Sequence, residues 1–115
     1  MWPSVDALNV CKDRKVPAQI PDLQSMVGLA KNFDAKSQPL NGLRHPIVGS
    51  TNGWYLWSGE AFPETDDAFE PLCLKHLIEQ DSIVLPFLYL PPGWRFLKAG
   101  DYIDIWFDEE LLKVD

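Results

Sequence analysis

The chain has 115 residues, of which 46% are hydrophobic and 23% charged, so it has the size and composition of one globular domain. Its formal net charge of -7 argues against a nucleic acid as the partner, because a phosphate backbone repels an acidic surface. We find no run of about 18 apolar residues that predicts a membrane span and no secretory signal. The sequence therefore predicts a cytoplasmic protein, in which Cys11 and Cys73 remain reduced thiols.

The first half of the chain is predicted to contain few regular elements. Residues 1–25 are expected to form an N-terminal arm or an extra element, in which residues 7–15 are either a helix or irregular. Residues 25–30 predict a strand, and Gly28 within it indicates a bulge or a close neighbour. Residues 31–50 are polar and rich in turn-forming residues, so they predict a long loop.

The next segments combine a strand and a helix. Residues 53–59 predict a strand bounded by glycines, and its bulky side chains on both faces favour a central position in the sheet. Residues 62–68 are expected to lead into a helix, with Pro71 in its first turn. The N-terminal cap of this helix is predicted to be Thr65, Asp66 or Asp67. Its apolar stripe is predicted to consist of Leu74, Leu77 and Ile78.

The C-terminal part predicts a β-hairpin. Residues 83–88 read as a short helix or turn, and residues 94–97 and 102–107 as two strands joined by a tight turn. In this order, the elements predict a small single α+β domain over residues 1–115, with a mostly antiparallel sheet and one or two short helices.

Acidic and aromatic residues are concentrated together in the second half of the chain. From Ser58 onward there are 13 acidic and 4 basic side chains, a net of -9, and residues 1–57 carry 4 acidic and 6 basic ones, a net of +2. Of the 14 aromatic residues, 12 lie from Trp54 onward. Most of these rings are expected in the core, and the acidic residues form a surface that suits a basic partner.

Two arginines are candidates for either binding or structural roles. Arg44, with His45 beside it in the predicted loop, could bind a phosphate or carboxylate, but a clamp on backbone carbonyls or a carboxylate is favoured. Arg95 is expected to stack on aromatic rings and to form an ion pair with Asp104 or Asp108 across the hairpin.

Cys73 and His76 are three residues apart on the predicted helix and so share one face. Such a pair could ligate a metal or form a Cys–His nucleophile. The chain offers few further ligands, and the acidic surroundings do not favour a thiolate. We therefore predict no metal, no cofactor and no catalytic residue.

Five blocks of the sequence, taken in order, resemble a bacterial family of immunity proteins of polymorphic toxin systems, the thirty-third numbered immunity family, formerly a domain of unknown function. The blocks are Asn-Gly-Leu-Arg-His-Pro at 41–46, Gly-Trp-Tyr-Leu-Trp-Ser-Gly-Glu at 53–60, Pro-Leu-x-x-x-His-Leu at 71–77, Leu-Pro-Pro-Gly-Trp-Arg-Phe-Leu at 90–97 and Asp-Ile-Trp-Phe-Asp at 104–108. The resemblance covers roughly residues 26–112. It implies a small cytoplasmic α+β protein that neutralises a cognate toxin by binding it, without catalysis.

The candidate residues fall into two groups, of which the second rests on the acidic half of the chain. The residues of the five blocks that are assigned structural roles are Arg44, Trp54, His76, Trp94, Arg95, Trp106 and Asp108. The candidate contacts with a basic toxin are the exposed members of the set Trp57, Glu60, Glu64, Asp66, Asp67 and Glu70. The protein is expected to be a monomer or a weak dimer.

Two alternatives remain open at the level of the sequence. One is a small enzyme or ligand-binding domain, which requires Arg44, His45, His76 and Arg95 to converge on one cleft. The other is a structural partner in a larger assembly, which requires an exposed apolar patch at residues 87–89.

Overall fold

The computed structural model describes residues 4–65 and 67–113, which fold around one six-stranded sheet. Its elements are α1 (Val5–Arg14), β1 (Met26–Ala30), β2 (Leu40–Arg44), β3 (Thr51–Ser58), β4 (Phe69–Cys73), α2 (Leu74–Gln80), a 3-10 helix (Ser82–Phe87), β5 (Trp94–Ala99), β6 (Tyr102–Phe107) and a second 3-10 helix (Glu109–Leu112). The fold is α+β, as the sequence predicted.

The strand order is β4-β1-β3-β2-β5-β6. Neighbouring strands are antiparallel except for β1 and β3, which are parallel. The register of β1 against β3 shifts between Met26 and Gly28. A Cβ on Gly28 would lie 2.5 Å from Cδ2 of the Tyr55 ring, so the predicted bulge and close neighbour at this glycine are both confirmed.

The two faces of the sheet are covered differently. Side chains alternate along β3, so that Trp54 and Leu56 point to one face and Tyr55 and Trp57 to the other. We call the first side the helix face, because α1, α2 and the first 3-10 helix pack there around Trp54 and Leu56. The second is the loop face, where residues 59–65 and the second 3-10 helix lie over a smaller cluster. β3 is thus a central strand with bulky side chains on both sides, as predicted.

The N-terminal segment forms a capped and docked helix. The Ser4 hydroxyl accepts a hydrogen bond from the Ala7 amide at 3.0 Å, and the Ser4 amide donates to the Tyr89 hydroxyl at 2.8 Å. Ala7 and Cys11 are buried in the core of the helix face. Burial also raises the pKa of the Cys11 thiol, so the group stays protonated at neutral pH.

The predicted long loop over residues 31–50 is wrong, because β2 lies within it. The Asn41-Gly42 pair reads as a turn signal, yet here the glycine serves packing between strands. A Cβ at Gly42 would overlap the ring of Phe96 on the neighbouring strand. Glycine therefore allows the two strands and that ring to approach.

The helix predicted to follow residues 62–68 with Pro71 in its first turn is also wrong. Residues 69–73 form β4, and α2 begins at Leu74 without a side-chain cap. The Lys31 amide donates to the Ala68 carbonyl, and the Leu74 amide donates to the Ser25 carbonyl. Hydrogen-bonded and non-hydrogen-bonded residue pairs alternate along an antiparallel ladder, so Gly28 and Pro71 form a non-hydrogen-bonded pair and the Pro71 nitrogen points away from β1. The predicted stripe does hold for Leu74 and Leu77, which are fully buried.

The C-terminal predictions hold for the secondary structure. The 3-10 helix at Ser82–Phe87 and the hairpin of β5 and β6 are both present. The predicted exposed patch at residues 87–89 is wrong, since Phe87, Leu88 and Tyr89 are 3%, 0% and 0% exposed. They complete the core of the helix face.

Candidate functional site

An aromatic groove of about 390 Å³ opens on the loop face. Its floor is the Tyr55 ring, which contacts Phe69 and His45 edge-on at centroid distances of 5.2 and 5.6 Å. One wall is Phe62, whose ring lies 5.5 Å from that of Phe69. The complete lining is His45, Tyr55, Phe62, Pro63, Glu64, Thr65 and Phe69.

Exposed carboxylates lie on the segment that forms this groove. Glu60, Glu64 and Asp67 are all exposed, and Glu64 forms part of the groove lining. Glu70, a further predicted contact, is exposed on the other side of the sheet, because it pairs with Leu29, whose side chain packs against the core of the helix face. Asp67 lies 3.5 Å from the Lys31 ammonium, and this cation holds the pKa of the Asp67 carboxyl below its usual range. We call the groove together with Glu60, Glu64 and Asp67 the acidic groove surface; Asp66, also a predicted contact, lies outside the described residues.

Trp57 does not belong to this surface, which corrects the prediction that it could anchor a partner. Its side chain is 2% exposed, and the Phe62 ring packs edge-on against it at 5.0 Å. Phe62 is 45% exposed and is therefore the ring that a partner can reach. The sequence reasoning missed Phe62, because no periodic pattern marks an irregular segment that folds over a sheet.

His45 is fixed at the end of the groove by the C-terminal 3-10 helix. Its Nδ1 lies 3.1 Å from the Leu111 carbonyl oxygen, and since a carbonyl only accepts, Nδ1 carries a proton and donates it. Its backbone amide donates to the Gly53 carbonyl at 2.8 Å. The ring is thus held as a wall of the groove.

Arg44 lies on the other side of the sheet and binds backbone carbonyls. Its Nε donates to Asn52 at 2.9 Å, and one terminal nitrogen donates to Gln19 and Leu90 at 2.8 and 2.9 Å. Burial lowers the pKa of this guanidinium to about 10, so it remains charged at neutral pH. The predicted clamp is confirmed, and it ties β2 to the segments before β1 and before β5.

Comparison with known proteins identifies the family. No curated protein and no solved structure matches the chain. The model of the Imm33-like domain matches residues 6–108. The chain belongs to the Imm33-like family. The resemblance inferred from the five blocks is therefore confirmed, and the matched region begins within α1.

Four of the remaining motif residues, Trp54, Arg95, Trp106 and Asp108, have structural roles in this Imm33-like domain. The Trp54 indole donates to the Leu88 carbonyl at 3.0 Å within the core. Arg95 lies 5.3 Å above the Trp106 ring and forms a 3.1 Å ion pair with Asp108. The stacking and the ion pair were both predicted, and of the two possible acidic partners the structure selects Asp108.

The four polar residues of the alternative enzyme hypothesis do not share a cleft. Arg44 faces the helix side, His45 lines the groove, Arg95 is engaged in the hairpin, and His76 is exposed on α2. Cys73 precedes α2 and donates to the Leu23 carbonyl at 3.3 Å. Within residues 4–65 and 67–113 of this Imm33-like domain, no three His, Cys, Asp or Glu side chains are grouped to hold a metal, and no helix is long and apolar enough to cross a membrane.

Proposed function

We propose that this protein is a cytoplasmic immunity protein that neutralises a cognate bacterial toxin by binding it directly through the acidic groove surface. The observation that carries the proposal is the group of three exposed carboxylates on the segment that forms an aromatic groove, in a member of the Imm33-like family. No catalytic residue is needed for this role, because occlusion of the toxin is sufficient.

The charge of this surface favours a basic partner. Glu60 and Glu64 carry no ion pair within the described residues, so their charges are available to attract a partner. Clusters of one sign raise association rates by about 10- to 1000-fold at low salt. Charge at the rim acts mainly on the rate of association and on specificity.

The aromatic rings supply the short-range part of the interaction. A lysine or arginine side chain that enters the groove meets the faces of Tyr55 and Phe62, which attract a cation, and the carboxylate of Glu64. Phe62 combines an exposed ring with a fixed position against Trp57. Rings of this kind are frequent hot spots of protein interfaces, and we propose Phe62 as the anchor in place of Trp57.

The test uses the product of the gene immediately upstream, co-expressed and purified with this protein. We expect a complex, and we expect the triple variant Glu60→Gln, Glu64→Gln, Asp67→Asn to lower its association rate by at least about tenfold at low salt. The matched control removes three exposed carboxylates from the helices on the other side of the sheet, with Asp6→Asn, Asp13→Asn and Glu79→Gln, and should change the rate much less. Equal effects of the two triple variants would exclude the acidic groove surface, and absence of any complex at micromolar concentration would exclude this toxin as the partner.

A further inference from the structure

The outer edge of β6 carries backbone groups that have no partner among the described residues. The Asp108 amide donates to the Gly93 carbonyl at 2.7 Å, which makes residues 93 and 108 a hydrogen-bonded pair. Pairs alternate along an antiparallel ladder, so the residues whose N–H and C=O groups point away from β5 are Ile103, Ile105 and Phe107. These three side chains also share the helix face of the sheet.

This edge lacks the protection found at the opposite edge of the sheet. β4 carries Pro71 at a position whose nitrogen points outward, which removes a donor that a foreign strand would use. β6 contains no proline and no lysine. Tyr102, Ile103 and Phe107 are 62%, 47% and 49% exposed, so apolar side chains accompany the free backbone groups.

We propose that a second copy of this chain pairs with β6, antiparallel and around a twofold axis at Ile105, to form a continuous twelve-stranded sheet from two six-stranded ones. In this register Ile105 lies opposite Ile105 of the second copy, and Ile103 lies opposite Phe107. All three residues have outward backbone groups, so each pair exchanges hydrogen bonds. The helix side of the new ladder is apolar throughout.

The charged side chains on the loop face of the sheet favour this register over the one centred on Asp104. Centring the pair on Asp104 would also align the hydrogen bonds, but it would place Asp104 directly opposite Asp104, and like charges facing each other are destabilising. Centring on Ile105 places Asp104 opposite Trp106 of the second copy. The guanidinium of Arg95 lies over that ring, at 5.3 Å from its centroid, so the carboxylate meets a cation.

The dimer is expected to be weak. A single pair of six-residue strands buries less surface than the roughly 1,200–2,000 Å² of stable interfaces. The net charge of -7 on each copy opposes association further at low salt. The acidic groove surface lies over β3 and β4 and remains free in such a dimer.

Sedimentation of the protein alone, from about 10 µM to about 1 mM, tests the proposal without any toxin and so independently of the proposed function. We expect reversible dimerisation, weakened at least about tenfold by Ile103→Lys, since a lysine on an edge strand opposes pairing. The matched control is Ile47→Lys, because Ile47 is similarly exposed, at 56% against 47% for Ile103, and lies outside the strands. A monomer throughout this range, or equal weakening by both variants, would overturn the proposal, and inhibition of toxin binding by Ile103→Lys in a monomeric protein would assign the edge to the toxin.

Asp104→Asn tests the register. It should weaken the dimer by roughly three- to tenfold, because its two symmetric contacts with the Trp106–Arg95 pair are lost. Asp6→Asn removes the same charge from the exposed surface of α1 and serves as the control for net charge. Strengthening by Asp104→Asn beyond that control would show that the two Asp104 residues face each other and would overturn the Ile105-centred register.

Discussion

The two faces of the sheet differ in what covers them. On the helix face, two helices and a 3-10 helix bury a large continuous cluster, and the guanidinium of Arg44 is enclosed within it. On the loop face, an irregular segment and a short 3-10 helix cover a cluster of only a few buried residues, beside an open groove. The difference indicates that the helix face stabilises the fold, and that the loop face can vary its surface at little cost in stability.

The largest expected effect is a loss of folding stability, compared between two leucine substitutions, one on each face of the sheet. Leu56→Ala, on the helix face at 0% exposed, should cost near the upper end of the roughly 2–5 kcal/mol range for buried leucines, because its surroundings are held by helices and cannot collapse. Leu43→Ala, on the loop face at 5% exposed, should cost near the lower end, because the covering loop can move inward. Urea unfolding measures both, and equal costs would contradict the division.

The two arginines allow the same comparison for polar groups. Arg44→Met leaves three carbonyl oxygens on the helix face without their donor, and we expect a loss of about 3 kcal/mol. Arg95→Met on the loop face breaks one half-buried ion pair and should cost about 1 kcal/mol or less. The same unfolding measurement applies, and a smaller loss for Arg44→Met than for Arg95→Met would show that the clamp is dispensable.

The smallest effect on stability is expected at the surface of the loop face. Phe62→Ala should cost about 1 kcal/mol or less, because the ring is 45% exposed. It uncovers Trp57, whose buried indole N–H has no hydrogen-bond partner among the described residues, so exchange of that N–H with solvent should accelerate. Phe107→Ala, at a ring that is 49% exposed on the other face, is the control, and NMR of the indole resonance would detect either result.

The sequence was sufficient where local pattern and tertiary role agree. The bulky residues on both faces of β3 predicted a central strand, and Arg95 with its ring and carboxylate predicted the hairpin contacts. Gly42 and Pro71 led to wrong predictions of secondary structure, because the contacts that explain them are distant along the chain. Gly42 leaves room for the Phe96 ring, and Pro71 lies on a strand at the open edge of the sheet. The acidic character of the candidate site was visible in the sequence, but its groove was not, since Phe62 covers Trp57 only after the chain between β3 and β4 folds back.

The position of β1 has a consequence for the order of synthesis. This strand is made before β3 and β4, yet in the sheet it lies between them. While a ribosome extends the chain, β1 therefore has no partner on either side until Ser58 has emerged, and its second side stays open until Cys73 follows. The interval from the end of β1 to the end of β4 spans more than a third of the 115 residues, and pairing across such separations is slow compared with local contacts.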